Sequence, residues 1–530
     1  MAQKPNDWVL SSPKFATFLN FLEEVERSRQ AGAEYFIEPA SGVLGRAKSK
    51  RNQIIFGRRG SGKSSLLEKT RRDLGQERIA IGFFIDCEPH KDNTYPNVLI
   101  LILIDLLSQI EQWLSTASSS RPSWSRQERD SDRPRERLSK KIIRQLLSDV
   151  AAEQSRLEQL LVEPDEVDVE RMRQQGWSNS VHAKTSGKLA SHGAEAAAEI
   201  GGESNAHSAN ETKETFRMGK RELLSRQLKV YRGLIERLTG AVARPIYILL
   251  DDLYHVHRSD QPHLVGFLHS LVKGKNACIK IGTVRSRSSW YLPGTQPVGM
   301  KIGDDASEID LDVTLEDYDA ARLFLHSVAS KLAQSRGFEL SRIITNEAFD
   351  RLLLGSGGVA RDMINIWRKA SAQAVSRIQG RAPVRMDSVT VEDVSKTIAD
   401  LDELKQEDLG RDVDPNSSDG LLTEFARVKD FCFSPTCATN VLLIEREFRG
   451  RRRDHLNQLV DLKFLHIVKK SVSVPSRAAR VYDAFMLDMS QYTGPRQRKN
   501  FRIVNFTDRD LNVQLGQPQL IYCEGDHGLN

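Results

Sequence analysis

Cysteine is scarce: the chain of 530 residues has five, at Cys87, Cys278, Cys432, Cys437 and Cys523. An odd, thin scatter cannot frame so long a chain with disulfides. Cys432 and Cys437 have no second ligand pair nearby, which argues against zinc. Buried, reduced thiols in a cytoplasmic protein are the expectation. The opening residues MAQKPNDWVL lack the apolar core of a signal peptide. Long hydrophobic runs are missing too. The run Val98–Ile104 ends at Asp105, too short to cross a bilayer, so it reads as a buried helix and no membrane partner is expected. His255, His257 and His263 sit close together but lack a ligand framework, and read as loop histidines. No internal repeat is evident. Nor does one sign of charge dominate, with 77 Lys and Arg against 71 Asp and Glu.

What is present is local and specific. Ile54-Ile55-Phe56 runs into Gly57-Arg58-Arg59-Gly60-Ser61-Gly62-Lys63-Ser64-Ser65, then Leu66-Leu67. This is G-x-x-x-x-G-K-[ST] between an apolar strand and an amphipathic helix, the context that a phosphate-binding loop requires. Glycines let backbone N–H groups converge on phosphate oxygens, and the helix aims its positive end at the same anion. Residues 57–65 are therefore the expected nucleotide site. Lys63 would reach the β- and γ-phosphates, and Ser64 would ligate Mg²⁺. A second apolar strand, Ile246-Tyr247-Ile248-Leu249-Leu250, ends in Asp251-Asp252. Carboxylates there face the crevice where open α/β sheets bind ligands. Asp251 would hold Mg²⁺ and Asp252 would polarise the attacking water.

Periodicity divides the chain into an N-terminal helical segment (1–40), an α/β core (41–313), a helical lid (314–408), a mixed region (421–490) and a basic tail (491–530). Strands are expected at 52–56, 78–86, 245–252, 277–284 and 308–313. Their alternation with helices predicts a parallel sheet covered by helices. Residues 115–215 read as an insertion: a Ser/Arg/Pro-rich stretch at 115–135, a charged amphipathic helix at 138–162, and a Gly/Ser/Ala/Asn-rich stretch at 176–215. The first stretch is expected to be disordered. Thr314–Asp317 and Thr390–Asp393 read as capping boxes with Asp at the third helical position. The segment 406–420 reads as a linker.

These features together resemble the AAA+/STAND group of P-loop ATPases. Ile281-Gly282-Thr283-Val284-Arg285 ends a strand where that group carries its first sensor. Gly357-Gly358-Val359-Ala360-Arg361-Asp362 is similar to the second-sensor segment of Orc/Cdc6-type proteins, which continue into a winged helix; residues 421–490 are the counterpart. The resemblance implies ATP and Mg²⁺ as cofactors, catalytic roles for Thr283, Arg285 and Arg361, and a γ-phosphate contact from Arg361 on the lid. Asp252 stands where AAA+ hydrolases usually have Glu. It is one methylene shorter, which implies slow turnover. Arg58, Arg59, Arg285 and Arg287 are candidates for an arginine finger. Trp290 and Tyr291 read as packing residues rather than a base-stacking pair.

Three functions compete: a nucleotide switch whose bound state is read by a partner protein or by DNA, acting in bacterial signalling or defence through a separate effector protein; a DNA-loading or transposition-type ATPase that assembles on duplex DNA; and a nucleotide-binding interaction module with little turnover. Nucleotide-dependent homo-oligomers are compatible with each. The DNA reading rests on Arg446–Arg502, where 14 Lys and Arg face 5 Asp and Glu. Arg446, Arg449, Arg451, Arg452 and Arg453 precede an expected helix at 455–465. Lys469 and Lys470 follow, and Arg496, Arg498, Lys499 and Arg502 extend the charge. Such a density neutralises phosphates and releases counterions.

Overall fold

A computed structural model describes residues 9–118, 139–168, 217–380, 387–412, 415–477, 479–493, 501–504 and 510–523. Of the stretch 115–135 expected to be disordered, 115–118 are instead the last turn of the helix Asn97–Ser118, while 119–135 lie outside the described residues, as do 176–215, Arg496, Arg498 and Lys499.

Five parallel strands form the core sheet. They are β1 (Gln53–Phe56), β2 (Ile81–Asp86), β3 (Ile246–Asp251), β4 (Ala277–Thr283) and β5 (Ser307–Asp310), in spatial order β2-β3-β4-β1-β5. β1, β3 and β4 are buried at every position, as continuous apolar runs covered on both faces should be. The register matters for function. Asp86 pairs with Asp251, and Phe56 with both Thr283 and Asp310, so the strand ends that carry polar residues share one edge. β5 stops at Asp310, three residues before the expected end, and 311–313 become a connector to the lid.

Helices α1 (Pro13–Arg27) and α2 (Arg29–Glu34) precede the sheet; α3 (Lys63–Gln76) follows the phosphate loop. α4 (Asn97–Ser118), α5 (Lys140–Val162), α6 (Lys220–Val242) and α7 (Gln261–Val272) complete the covering layers. α4 shows that the apolar run seen in the sequence continues far beyond Asp105. By length and composition alone, Asn97–Thr116 would suffice to cross a membrane. Its residues Leu99, Leu103, Leu107 and Leu114 instead join the core formed with Ile248, Leu250 and Ile279. α5 belongs to the same core through Leu146, Val150, Leu157 and Leu160, so this helix of the insertion is part of the packed domain. A short antiparallel pair, Glu166–Asp168 with Arg217–Gly219, closes its base.

The lid comprises α8 (Tyr318–Ser335), α9 (Asn346–Ser356), α10 (Ala360–Gln379) and α11 (Val391–Asp412). Thr390 and Asp393 make the reciprocal box, with Asp393 Oδ2 accepting from Thr390 N at 2.9 Å. At the other box the cap moves: Asp317, not Thr314, accepts from Ala320 N at 3.0 Å and opens α8. The described residues of the expected linker are helical: α11 runs to Asp412 and α12 (Pro415–Phe433) begins three residues on. Then come β6 (Val441–Glu445), α13 (Arg451–Asp461), β7 (Leu465–Ser473), β8 (Val481–Leu487) and β9 (Ile521–Cys523), whose sheet order is β7-β8-β6-β9. The protein is thus an α/β P-loop core followed by an all-α lid and an α+β, winged-helix-like C-terminal unit.

α1 is not a free leader. Ser12 caps it, accepting from Phe15 N at 3.2 Å, and its apolar face enters the lid. Phe18 meets Trp367 of α10 edge-on with ring centroids 5.4 Å apart. Phe15 and Phe18 are both fully buried in a core shared by the lid and the C-terminal unit. Phe18→Ala should therefore cost about 3–5 kcal/mol, read as a lower melting temperature and rapid proteolytic clipping within α1. Leu323→Ala, at an exposed lid position, should stay within about 0.5 kcal/mol. Equal effects of the two would place α1 outside the lid core.

Candidate functional site

The phosphate loop is shaped by two left-handed residues, Gly60 (φ +88°) and Gly62 (φ +97°), where a side chain would strain the backbone. Gly60 has a further reason: a Cβ there would come within 2.9 Å of Arg361 Cβ on the lid. Gly62 opens α3 with no side-chain cap. The first N–H groups of this helix thus lack intrahelical acceptors, which makes its start a site for an anion.

Lys63 is 4% exposed, and its Nζ donates to Gly57 O at 2.9 Å and Arg58 O at 3.2 Å. Burial pulls its pKa down, while Asp252, Asp251 and Asp312 pull it up. At the end of β3, Asp251 is fully buried. Its carboxyl is pushed up to about 7, first by burial and then by Asp252, and is held back by a Ser64 hydrogen bond. One carboxylate oxygen accepts from Asp252 N at 3.1 Å, whereas Oδ2 is buried without a hydrogen-bond partner. Such an orphan is costly unless something satisfies it. Ser61 Oγ is likewise buried without a partner. The donor set of Ser64 and Asp251, hard oxygens beside a lysine, fits Mg²⁺ carried by a phosphate ligand.

A cavity of about 270 Å³ opens in front of these groups. Arg59 through Ser65 and Asp252 form one wall. Asp252 takes φ +52° and turns the chain into Leu253–His255, which places Tyr254 and His255 at the mouth. The facing wall is the lid, with Arg361, Ile364, Phe324 and Val328. Lid and loop touch directly, Arg361 N donating to Gly60 O at 3.3 Å. Tyr35, Phe36 and Ile37, just after α2, add an apolar side to the cleft. Sequence reasoning missed them; the signal was an aromatic pair upstream of the loop. It missed Glu88 as well, which lines the cleft after β2.

The structure gathers Arg59, Gly60, Ser61, Gly62, Lys63, Ser64, Ser65, Asp252 and Arg361 around this cleft, with Asp251 directly behind. Three expected site residues have other partners. Arg58 turns away: its Nη2 donates to Val313 O at 2.7 Å and Gly357 O at 3.0 Å, and its Nε to Asp312 at 3.4 Å. It pins loop to lid instead of facing phosphate. Arg285 lies over the Phe56 ring, 3.8 Å from its centroid, and pairs with Glu308 at 3.1 Å and Asp310 at 3.6 Å. The carboxylates that hold it are on β5, away from the cleft lining. Thr283 is fully buried and its hydroxyl bonds Ser288. Gly57 keeps a backbone role, its N donating to Thr283 O at 3.3 Å. Trp290 packs against Phe56, ring centroids 4.9 Å apart and planes tilted by 59°, as a packing residue should.

The C-terminal basic cluster is also largely engaged internally. Arg451–Arg453 lie inside the first turn of α13, not before it. Arg452 pairs with Glu424 at 3.0 Å, and Arg446 and Arg453 with Asp483 at 3.1 and 3.8 Å. Lys470 pairs with Glu316 at 3.2 Å, and Lys469 bonds Asn512. Their acidic partners come from within the segment, as Asp483, and from outside it, as Glu424 and Glu316.

No protein-family model and no curated protein matches the chain. Among solved structures, it is similar to the Orc1 protein of Aeropyrum pernix in complex with DNA, at 11% identity and a TM-score of 0.33, covering 90% of this chain and 92% of that one.

Arg58→Ala should loosen the joint between loop and lid. Losing hydrogen bonds from a charged donor, at about 1.5 kcal/mol or more, should speed amide exchange at 357–362 about tenfold and leave β3 unchanged. Unaltered exchange at 357–362 would show that the Arg58 bonds do not hold the lid.

Proposed function

We propose that this chain is a P-loop ATPase that works as a switch, with ATP bound between core and lid so that nucleotide state sets lid position. The supporting observation is that Lys63 and Asp252 of the core share one cleft with Arg361 of the lid. On this reading Lys63 leaves its two loop carbonyls for the β- and γ-phosphate oxygens. The α3 amides receive the rest of the phosphate charge. Ser64 and Asp251 would hold Mg²⁺, which neutralises phosphate charge and orients the β- and γ-oxygens when bound. Asp252 accepts a hydrogen bond from the attacking water, Arg361 contacts the γ-phosphate, and Tyr35, Phe36 and Phe324 flank the base. Turnover is slow, since Asp252 reaches a methylene less far than Glu.

The DNA-loading alternative would use Arg449 and Arg451, exposed on the C-terminal unit, together with the basic tail. A separate effector chain, or a further copy of this chain, would be the partner if duplex DNA fails to bind at low salt.

Lys63→Ala should weaken ATP binding by about 1.5–3 kcal/mol, measured by calorimetry on the folded variant; unchanged affinity removes the nucleotide assignment. Arg361 separates the switch from a passive binding module. ATP, and not ADP, should raise protection from hydrogen exchange across 360–379, and Arg361→Ala should abolish that difference. Equal protection by both nucleotides in the parent protein would leave a binding module without a switch.

A further inference from the structure

A carboxylate that the proposed chemistry does not use faces the same cleft from the neighbouring strand. Glu88 lies two residues after β2 and lines the cavity together with Lys63, Ser64, Asp252, Tyr254 and His255. Strand register puts it there. β2 and β3 run parallel, with Asp86 level with Asp251. The pairing continues past the strand, since Cys87 N donates to Asp251 O at 3.1 Å. Cys87 is therefore level with Asp252, and Glu88 follows at once. Neighbouring strands lie about 4.8 Å apart, so the two chain ends deliver Asp252 and Glu88 side by side to one edge of the sheet. The turn holds Glu88 by its backbone. Asp86 Oδ1 accepts from Glu88 N at 3.0 Å, and Asp86 Oδ2 accepts from Arg29 of α2, whose guanidinium lies over the Phe84 ring at 4.4 Å. At the far end of the turn His90 Nε2 lies 2.7 Å from Asp105 Oδ2 of α4. The Glu88 carboxylate itself stays open: among the described residues no hydrogen bond or ion pair engages it. Glu26, the remaining carboxylate of the lining, comes from α1 and pairs with Arg368 of the lid at 3.5 Å.

We infer that Glu88 is the general base of this ATPase: it takes one proton of the attacking water while Asp252 accepts a hydrogen bond from the other. The inference rests on the ATP-site reading above. The water oxygen bonds to the γ-phosphorus as the bond from that phosphorus to the β,γ-bridging oxygen breaks. ADP leaves with that electron pair, and the proton passes to the Glu88 carboxylate, which returns it to solvent. A base has to reach the water and be free to receive the proton. Asp252 leaves a left-handed backbone (φ +52°) on a side chain one methylene shorter than that of Glu. Glu88 brings the longer side chain from the next strand, on a turn whose backbone is tied to β3, α2 and α4. Two carboxylates on adjacent strand ends can thus hold both O–H groups of one water, which fixes where its lone pair points.

The experiment measures ATP turnover with saturating Mg²⁺ beside the dissociation constant of ATP, on the full chain. Glu88→Gln keeps the shape and removes the basicity. It should lower kcat about a hundredfold and leave ATP affinity within about threefold of the parent's. Acid-quenched complexes of this variant should release intact ATP after an interval in which the parent's release ADP. Glu88→Asp, which keeps the carboxylate, should turn over about tenfold faster than Glu88→Gln. Asp252→Asn should cost less than Glu88→Gln, because it leaves the base in place. A kcat for Glu88→Gln within about threefold of the parent's, or a larger loss in Asp252→Asn, overturns the role of Glu88 and leaves the nucleotide site standing. So does an equal loss of kcat and ATP affinity in Glu88→Gln, the mark of a residue that only shapes the turn. A parent protein that binds ATP without turning it over likewise overturns the base alone. A parent protein that does not bind ATP overturns the site and the base together.

Discussion

One guanidinium holds this architecture together. Arg58 occupies the second position of the phosphate loop, yet its side chain reaches the connector at Asp312 and Val313 and the lid at Gly357. A planar, permanently charged fork suits three acceptors at fixed angles. Gly60 adds steric closeness, with Arg361 N bonded to its carbonyl. Loop and lid therefore meet backbone to backbone. A ligand that reshapes the loop has to move the start of α10, and a lid that moves has to disturb the loop. Other contacts then become meaningful: the cleft exists because these two surfaces are held a fixed distance apart.

The lid in turn is not an independent bundle. Its buried side chains, such as Trp367 and Leu352, belong to one continuous core with Phe425, Phe464 and Tyr482 of the C-terminal unit and with Phe15 of α1. The segment that reads as a polar linker in the sequence is the boundary between two helices in the structure. Motion of the lid is thus motion of a larger body, and the turn at 461–466 ties that body to the start of α10 through Lys463 and Asp362.

Much of this was legible in the chain because it is local chemistry. A strand, glycines at left-handed positions, a lysine and a hydroxyl at a helix start follow one another within a dozen residues, and so do the five apolar residues before Asp251. The roles of Arg58, Arg285 and Thr283 were not legible, because each is decided by a distant partner. Asp312 lies 254 residues from Arg58 and Gly357 lies 299 away. Arg285 is claimed by Glu308 and Asp310 on a strand whose position beside β1 no local pattern reveals. For the C-terminal arginines, charge density was visible, but its neutralisation by Glu424 and Asp483 depends on tertiary pairing. Tyr35 and Phe36 were passed over because aromatic residues before a phosphate loop have no fixed spacing to it.

The burial of α1 in the lid has a consequence for how the protein is made. Phe15 and Phe18 are synthesised before Trp367, against which Phe18 packs and which is added some 350 residues later. At about 5–20 residues per second, the apolar face of α1 waits roughly 20 to 70 seconds for its binding surface. Throughout that interval the nascent chain carries an amphipathic helix with nothing to cover it, a natural target for chaperones that bind exposed apolar segments. The α/β core can form in the meantime, but its cleft cannot be completed, since α10 supplies the opposite wall. The order of synthesis therefore delays assembly of the cleft until the lid has closed over α1.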